Sequence, residues 1–181
     1  GHEGAGVVSS VGEGVDMHNV GDSVAFFKGF GAFAEKIVLP AQMAFPIPES
    51  FPFHVAAGVF MVYGTSYHAL VQRASINKHD EVLVLGAAGG VGLAAVDIAK
   101  SFGARVVAAV STKEKAEVCA GYGVDDVVVY GEEKLNKEGQ KAFTKELKSK
   151  SVHGGFSIIY DPIGDCFAEP ALRSIGWGGT Y

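Results

Sequence analysis

One stretch, residues 81–100, constrains the fold of this chain more than any other part of the sequence. It begins with a continuous apolar run from Val82 to Leu85, which is the pattern of a strand buried on both faces of a parallel sheet. A glycine-rich turn follows, and apolar residues then recur at helical spacing and predict a helix over residues 90–102. A second apolar run follows from Val106 to Val110, so the turn belongs to a strand–helix–strand unit.

The turn has the composition of a loop that binds the pyrophosphate of a dinucleotide. Glycine lets the main chain turn tightly and leaves its N–H groups open to a phosphate, because no Cβ stands in the way. The helix N-terminus adds unpaired donors and the positive end of a dipole. The alternative is a glycine-rich turn in an α/β protein that has no ligand. The residues predicted to contact the cofactor in this turn are Gly86, Ala88, Gly89, Gly90 and Val91.

From residue 81 onward, strand patterns alternate with helix patterns, which predicts right-handed crossovers and a doubly wound parallel sheet. The lysines of the helix predicted at 132–148 are interleaved with glutamates, so we interpret its outer face as solvated rather than as a nucleic-acid patch. The predicted strands are 82–86, 105–110, 126–130, 156–161 and a start at 178–181, and the predicted helices are 90–102, 113–121, 132–148 and 166–175.

The first part of the chain has a different pattern. Short β-branched runs with glycine and proline punctuation predict strands within residues 4–12, 20–27 and 32–39, as in part of a small barrel. Prolines near residue 50 mark a connector, and a helix is predicted from Pro52 to Val71. We therefore divide the chain into a partial barrel domain (1–50), a connecting helix region (51–80) and a nucleotide-binding domain (81–181).

Composition excludes several classes of protein. Apolar residues make up 48% and charged residues 19%, so the chain is globular rather than disordered. A net charge of −5 gives no basic excess for nucleic acid, and no apolar run reaches the length of a membrane span. Cys119 and Cys166 are too few for a disulfide framework or a multi-cysteine metal site. These features favour a cytoplasmic protein.

The end of the second strand predicts which dinucleotide is bound. NAD-selective proteins place an acidic residue there to hold the ribose 2′-OH, and residues 108–112 contain none. Ser111 offers a hydroxyl, and Lys113 and Lys115 offer cations, which favours the 2′-phosphate of NADPH over NADH. The alternative is that both lysines lie in the first turn of a solvated helix. Cations are mildly unfavourable at a helix N-terminus, and this supports the phosphate reading.

Five segments in order carry a resemblance to a known family: residues 1–8, 20–24, 63–70, 86–92 and 161–164. Together they resemble the medium-chain dehydrogenase/reductase superfamily, and within it the zinc-independent quinone oxidoreductase (zeta-crystallin-like) branch. The resemblance implies a GroES-like catalytic domain before a Rossmann domain, and a homodimer formed through the Rossmann sheet edge. It also implies hydride transfer from NADPH to a quinone or an α,β-unsaturated carbonyl. By the same comparison, the chain is an internal fragment that lacks the last sheet strand, and we expect little activity from it alone.

The resemblance also implies roles for single residues. Tyr63 and Thr65 are expected to face the nicotinamide ribose and ring, while Tyr67 and His68 are interpreted as helix packing residues. Lys115 and Tyr130 are expected to contact the 2′-phosphate. Asp161 and Gly164 are expected to line the cofactor at the carboxyl edge of the sheet, although Asp161 is equally suited to capping the next helix. No residue is assigned as catalytic, and Cys166 is interpreted as a bystander.

The zinc-dependent relatives raise the question of a metal. His2 matches one ligand position of such relatives, but Met61 stands where a helix would supply another, and methionine is a poor ligand for catalytic zinc. No four-cysteine lobe follows Val24. We therefore predict chemistry without a metal. Two alternatives stay open: a relative of zinc alcohol dehydrogenases, and a catalytically silent protein that binds NADPH.

Overall fold

In a computed structural model, which describes residues 1–181, the chain divides into two compact units, Gly1–Gly64 and Thr65–Tyr181. The boundary between them falls inside a helix that the sequence assigned to the connecting region 51–80. The three-part division of the chain stays a prediction.

The first unit is built on a small antiparallel sheet. Its strands are β1 (Glu3–Val7), β2 (Ser23–Phe27) and β3 (Ala44–Pro46), in the order β1-β2-β3. Gly4 in β1 lies opposite Phe26 in β2. A Cβ on Gly4 would come within 2.6 Å of the Phe26 ring, so the ring takes the place of a side chain on the neighbouring strand.

One of the strand predictions for this unit is wrong. Residues 32–39 form no strand, and the side chains of Phe33 and Val38 are 94% and 88% exposed. A β-branched run becomes a strand only where a neighbour pairs with it, and no strand pairs with this one. The pairing partner of β2 is instead the three-residue β3, whose sequence signal is masked by the prolines around it.

The predicted helix from Pro52 to Val71 is interrupted. It is divided into α1 (Phe53–Ala56), α2 (Val59–Tyr67) and a π-helical turn (His68–Arg73) that continues α2. None of the helices combines the length and the apolar character that crossing a membrane requires.

The second unit contains a five-stranded parallel sheet, which confirms the predicted fold. Its strands are β4 (Glu81–Leu85), β5 (Arg105–Val110), β6 (Asp126–Val129), β7 (Phe156–Tyr160) and β8 (Ile175–Thr180). Their order is β6-β5-β4-β7-β8, so the chain moves outward from β4 and then returns to its other side. The direction of winding therefore reverses between β4 and β7, and open α/β sheets bind ligands at such a switch point.

Helices cover both faces of this sheet: α3 (Gly90–Ser101), α4 (Lys113–Gly121), α5 (Lys137–Lys150) and α6 (Ala168–Leu172). On one face, Leu83 and Leu85 join a cluster with Phe143 and Leu147 of α5. The intervening strand residues point to the other face and are also fully buried, and α3 and α4 pack against these strands. Burial on both faces explains why the strands are continuous apolar runs in the sequence.

Several element boundaries of the second unit differ from the prediction. The predicted helix 132–148 begins only at Lys137, because the Asn136 side chain accepts hydrogen bonds from two amides of the first turn and caps it there. The predicted helix 166–175 ends at Leu172, and β8 begins at Ile175 rather than at 178. A Cβ on Gly155 would lie 2.6 Å from the Gly176 main chain, so glycines that weaken the strand signal are what allow this pairing.

A buried carboxylate secures the amino edge of the sheet. Glu81 is 1% exposed, and its carboxylate accepts hydrogen bonds from Arg105 Nη1 at 2.6 Å, Ser151 Oγ at 2.8 Å and the Val152 amide at 3.1 Å. These donors satisfy a charge that burial alone would disfavour. They tie β4 to β5 and to the loop before β7, at the edge opposite the glycine turn.

Candidate functional site

The glycine turn lies at the carboxyl edge of β4, at the switch point. Gly86 follows the strand with φ +59°, which favours glycine, and its carbonyl accepts a hydrogen bond from the Gly89 amide at 2.9 Å. Helix α3 begins at Gly90, and no side chain caps it at Gly89. The turn therefore presents main-chain amides at an uncapped helix N-terminus, which is the arrangement that binds anions.

A close approach of helix and strand fixes this turn. A Cβ on Gly92 would lie 2.3 Å from the Gly86 carbonyl oxygen and 2.8 Å from Ala87 Cα, so only glycine fits there. The predicted residues Gly86, Ala88, Gly89, Gly90 and Val91 are brought together in one turn, with Gly89 and Gly90 exposed. The residues present thus fit a dinucleotide pyrophosphate, because the cradle is bare main chain.

A second loop faces the turn from the end of β7. Asp161 Oδ1 accepts hydrogen bonds from the amides of Ile163 and Gly164, both at 2.9 Å. Asp161 therefore closes its own turn and does not cap α6, which begins at residue 168. The loop reaches the glycine turn, since a Cβ on Gly86 would be 3.0 Å from Ile163 Cγ1.

Asp161 also accepts a hydrogen bond from Tyr181, the residue that follows β8. Its Oδ2 accepts a hydrogen bond from the Tyr181 hydroxyl at 2.8 Å. Burial, followed by this hydrogen bond and the negative charge of Asp161, raises the pKa of Tyr181 to about 12. Tyr181 is therefore a neutral donor to Asp161 at neutral pH.

The end of β5 brings the two predicted phosphate ligands together. Lys115 Nζ donates a hydrogen bond to Ser111 Oγ at 2.7 Å, with Lys115 exposed and Ser111 half-buried. Thr112 caps α4 by accepting from the Lys115 amide. Glu114 is the acidic residue of this first turn, and hydrogen bonds from its own main chain and from Thr112 hold its pKa below the usual range. Beyond the end of β5 there are thus a hydroxyl (Ser111), a cation (Lys115) and one carboxylate (Glu114) that is hydrogen-bonded within its own turn.

Tyr130 has a different environment from the one its predicted role suggests. Its amide donates to the Val110 carbonyl at 2.9 Å, which places its main chain beside the end of β5. Its ring packs against Phe167 and Phe143, with centroid distances of 4.5 and 5.7 Å. Burial and then the negative charge of Asp161 raise the pKa of its hydroxyl. Tyr130 therefore belongs to the aromatic cluster beneath the carboxyl edge, and its contact with a phosphate stays a prediction.

Two hydroxyl side chains were not predicted as part of this site. Ser66 is fully buried in α2, and its Oγ donates to the Val91 carbonyl at 2.8 Å. The same oxygen lies 3.1 Å from the hydroxyl of Tyr160, the last residue of β7. The available signal was a lone serine in an apolar helix and a tyrosine that ends a buried strand.

The remaining predicted residues of this region lie in α2 and in the π-helical turn that follows it. Thr65 is exposed at the start of the second unit, and Tyr63 is half-buried in the first unit. Tyr67 and His68 are exposed, and His68 Nδ1 hydrogen-bonds Gln72 Oε1 at 2.6 Å, so the interpretation of both as packing residues is wrong.

The side chains of residues 1–181 do not by themselves assemble a zinc site. His2 is exposed, and the Glu3 carboxylate accepts a hydrogen bond from the Met61 amide at 2.9 Å, so it anchors the first turn of α2. Across residues 1–181, no group of three or more His, Cys, Asp or Glu side chains could hold a metal ion. Cys166 accepts a hydrogen bond from the Leu135 amide at 3.3 Å and is half-buried, which is the environment of a structural thiol.

Family models match both parts of the chain. Residues 90–181 match the zinc-binding dehydrogenase model, and residues 1–49 match the alcohol dehydrogenase GroES-like domain. The quinone oxidoreductase-like protein 2 homolog of Nematostella vectensis is 36% identical over 181 residues, which are 99% of this chain and 47% of that protein.

Solved structures are also similar. Mycobacterial Rv1454c complexed with NADPH has a TM-score of 0.85 and 31% identity, over 97% of this chain and 53% of that one. The CurK enoyl reductase has a TM-score of 0.83 and 25% identity, over 98% of this chain and 51% of that one. The chain thus spans about half the length of these proteins. It spans only 8% of a mycocerosic acid synthase-like polyketide synthase of Mycolicibacterium smegmatis, to which it is 28% identical.

Proposed function

The chain belongs to the medium-chain dehydrogenase/reductase superfamily, and from that premise we propose that it is the cofactor-binding part of an NADPH-dependent oxidoreductase. The whole protein would transfer a hydride to a quinone or to an α,β-unsaturated carbonyl. The observation that carries the proposal is the turn of bare main chain between β4 and α3, at the switch point of the sheet.

The preference for NADPH rests on the end of β5. Ser111 and Lys115 already share a hydrogen bond, so they form a preassembled pair that can meet a 2′-phosphate with one hydroxyl and one cation. Lys115 is exposed, so it can turn towards a phosphate without leaving a buried charge unpaired. The NADPH complex of a structural neighbour that is 31% identical supports the same choice of cofactor.

Several predicted contacts remain part of this proposal. Gly86, Ala88, Gly89, Gly90 and Val91 would hold the pyrophosphate, and the Asp161–Gly164 turn would close over it. Tyr63 and Thr65 would lie towards the nicotinamide, and Tyr130 would border the 2′-phosphate from its aromatic cluster.

Bound NADPH would supply the hydride, and the chain's own residues would bind and orient it. We propose that no metal takes part, because within residues 1–181 no group of three or more His, Cys, Asp or Glu side chains could hold a metal ion. The negative charge that develops on the acceptor oxygen would then be stabilised by hydrogen-bond donors or solvent. The acceptor is a small molecule, and a homodimer through the sheet edge is part of the same proposal.

The similarity to an enoyl reductase adds enoyl thioesters to the acceptors that should be tested. An enoyl thioester is an α,β-unsaturated carbonyl, so it needs the same hydride delivery as an enone. Quinones and enoyl thioesters are therefore the two acceptors to compare.

The test is oxidation of NADPH by the whole protein, measured by the loss of reduced-nicotinamide absorbance. We expect turnover with an aromatic ortho-quinone or a short enoyl thioester, and an unchanged rate after dialysis against a metal chelator. Tight NADPH binding without turnover on a broad panel of both acceptors would contradict the enzymatic proposal. A rate that falls on chelation and returns with zinc would contradict metal-free transfer.

A further inference from the structure

The two hydroxyls that the sequence analysis did not predict form a directional chain of hydrogen bonds. Ser66 Oγ has one proton, and that proton is donated to the Val91 carbonyl at 2.8 Å. The contact of 3.1 Å between Ser66 Oγ and the Tyr160 hydroxyl must therefore have Tyr160 as the donor. The order is fixed as Tyr160 O–H to Ser66 O–H to the Val91 carbonyl.

This chain of hydrogen bonds connects three elements at the switch point. Ser66 lies on α2, Val91 lies in the first turn of α3, and Tyr160 is the last residue of β7. Tyr160 pairs with Val84 in β4, two residues before the glycine turn begins. The two hydroxyls therefore join the end of β7 to the first turn of α3.

The two loops of the candidate site adjoin the two ends of this series of hydrogen bonds. Val91 is directly preceded by Gly89 and Gly90, and Tyr160 is directly followed by the Asp161 turn. Ser66 is fully buried, so its hydrogen bonds form away from water, where an unpaired hydroxyl would be costly. A small shift of α3 or of β7 would break a contact that solvent cannot replace.

We propose that Ser66 and Tyr160 are positioning residues, which hold the first turn of α3 and the end of β7 at the separation that a dinucleotide pyrophosphate requires. The proposal rests on the proposed function only for the identity of the ligand. The positioning itself is a property of the chain without cofactor, and it can be measured without cofactor.

The first measurement is amide hydrogen exchange in the cofactor-free chain. Ser66→Ala is expected to speed exchange of the amides in residues 89–95 about fivefold, because one hydrogen bond to the first turn is lost. Exchange in β5 should not change. The matched control is Ser149→Ala, which removes an exposed serine hydroxyl that bonds a carbonyl of its own helix, α5.

Tyr160→Phe removes a single oxygen at a half-buried position and keeps the experiment informative if Ser66→Ala folds poorly. We expect a smaller effect, about twofold, because Ser66 retains its bond to Val91 and loses only the polarising donor. The double variant should match Ser66→Ala alone, since Tyr160 has nothing to hold once the Ser66 oxygen is gone. Tyr122→Phe, at an exposed tyrosine on the end of α4, is the control.

The second measurement is NADPH binding by the same variants, with thermal unfolding of each. A loss of NADPH affinity by about the same factor as the change in exchange, in variants whose melting temperatures show that they are folded at the assay temperature, supports the proposal. Unchanged exchange in residues 89–95, additive effects in the double variant, or equal acceleration in β5 would overturn it. If no variant and no wild-type chain binds NADPH while the localised exchange effect is present, the positioning stands and the proposed cofactor is wrong.

Discussion

At Gly92 the structure leaves no room for a side chain. The nearest atoms to a Cβ would be the Gly86 carbonyl oxygen and the main chain of Ala87, and neither is the end of a flexible side chain that can move aside. Relief would require α3 to move away from β4, which would open the turn that presents the amides. One missing Cβ thus determines both the closeness of helix and strand and the shape of the candidate pyrophosphate site.

Gly92→Ala is therefore expected to destabilise the chain by about 3 kcal/mol and to abolish NADPH binding, because the strand and helix cannot both keep their positions. Urea unfolding and a cofactor titration check this. Gly121→Ala in α4 is the control, since a Cβ there meets no atom within 4 Å, and it should change stability by less than about 1 kcal/mol. Normal NADPH binding by Gly92→Ala would show that the close approach is not required.

At this scale the sequence predicts residues whose role is local and misses those whose role depends on distant partners. The glycines of the turn lie between β4 and α3, as their spacing within seven residues predicts, while their contact with a cofactor stays a prediction. Ser66 and Tyr160 are 94 positions apart, and only the sheet order brings them together. Asp161 shows the same limit: its bond to its own turn is local, but its bond to Tyr181, 20 positions away, depends on the fold.

Among the elements, α3 and β5 are both bonded to Asp125, the residue that precedes β6 at the amino edge of the sheet. Asp125 accepts hydrogen bonds from Lys100 Nζ at 2.8 Å and from the Val106 amide at 2.7 Å. Burial alone would raise the pKa of Asp125, but these hydrogen bonds and the charges of Lys100 and Arg105 outweigh it and hold the pKa below its usual range. The carboxylate is therefore favoured in the folded state.

A carboxylate whose pKa is lower in the folded chain contributes stability at pH values above its pKa in the unfolded chain. That contribution is lost as the pH falls through its pKa in the folded chain. We expect the free energy of unfolding to decline as the pH drops below about 4, and Asp125→Asn to make that decline shallower. The difference should not exceed about 1 kcal/mol, because the Asp125 side chain is 36% exposed. Urea titrations across the acid range measure it, with Glu117→Gln at an exposed position of α4 as control. An acid slope identical in Asp125→Asn and wild type would contradict the assignment.

The strands of the parallel sheet are predictable because they are buried on both faces, which requires apolar residues at consecutive positions. The errors occur where pairing rather than burial defines the element. Residues 32–39 have a strand composition but no pairing partner, and β8 contains glycines that read as a break although they permit close pairing with β7. The early start predicted for α5 reflects an unrecognised cap at Asn136.

For the whole molecule, the fold class was predictable because strand and helix signals alternate over the second unit, and this alternation admits few topologies. Composition alone would have given only a globular protein. The ligand prediction needed more: the position of the glycine turn at the switch point, and the chemistry of the residues at the end of β5. The central proposal is a bound dinucleotide whose pyrophosphate contacts bare main chain and whose adenosine ribose contacts Ser111 and Lys115.

A side-by-side titration of the chain with NADPH and NADH tests this most directly, using wild type, Lys115→Ala and, as a control for lost charge, Lys145→Ala on the exposed face of α5. The account predicts that wild type and Lys145→Ala bind NADPH at least about tenfold more tightly than NADH, since a charge-assisted hydrogen bond to the 2′-phosphate is present only with NADPH. Lys115→Ala should lose most of that preference while its NADH affinity stays the same. Equal affinity of the wild type for both dinucleotides, or a full preference retained in Lys115→Ala, would contradict it.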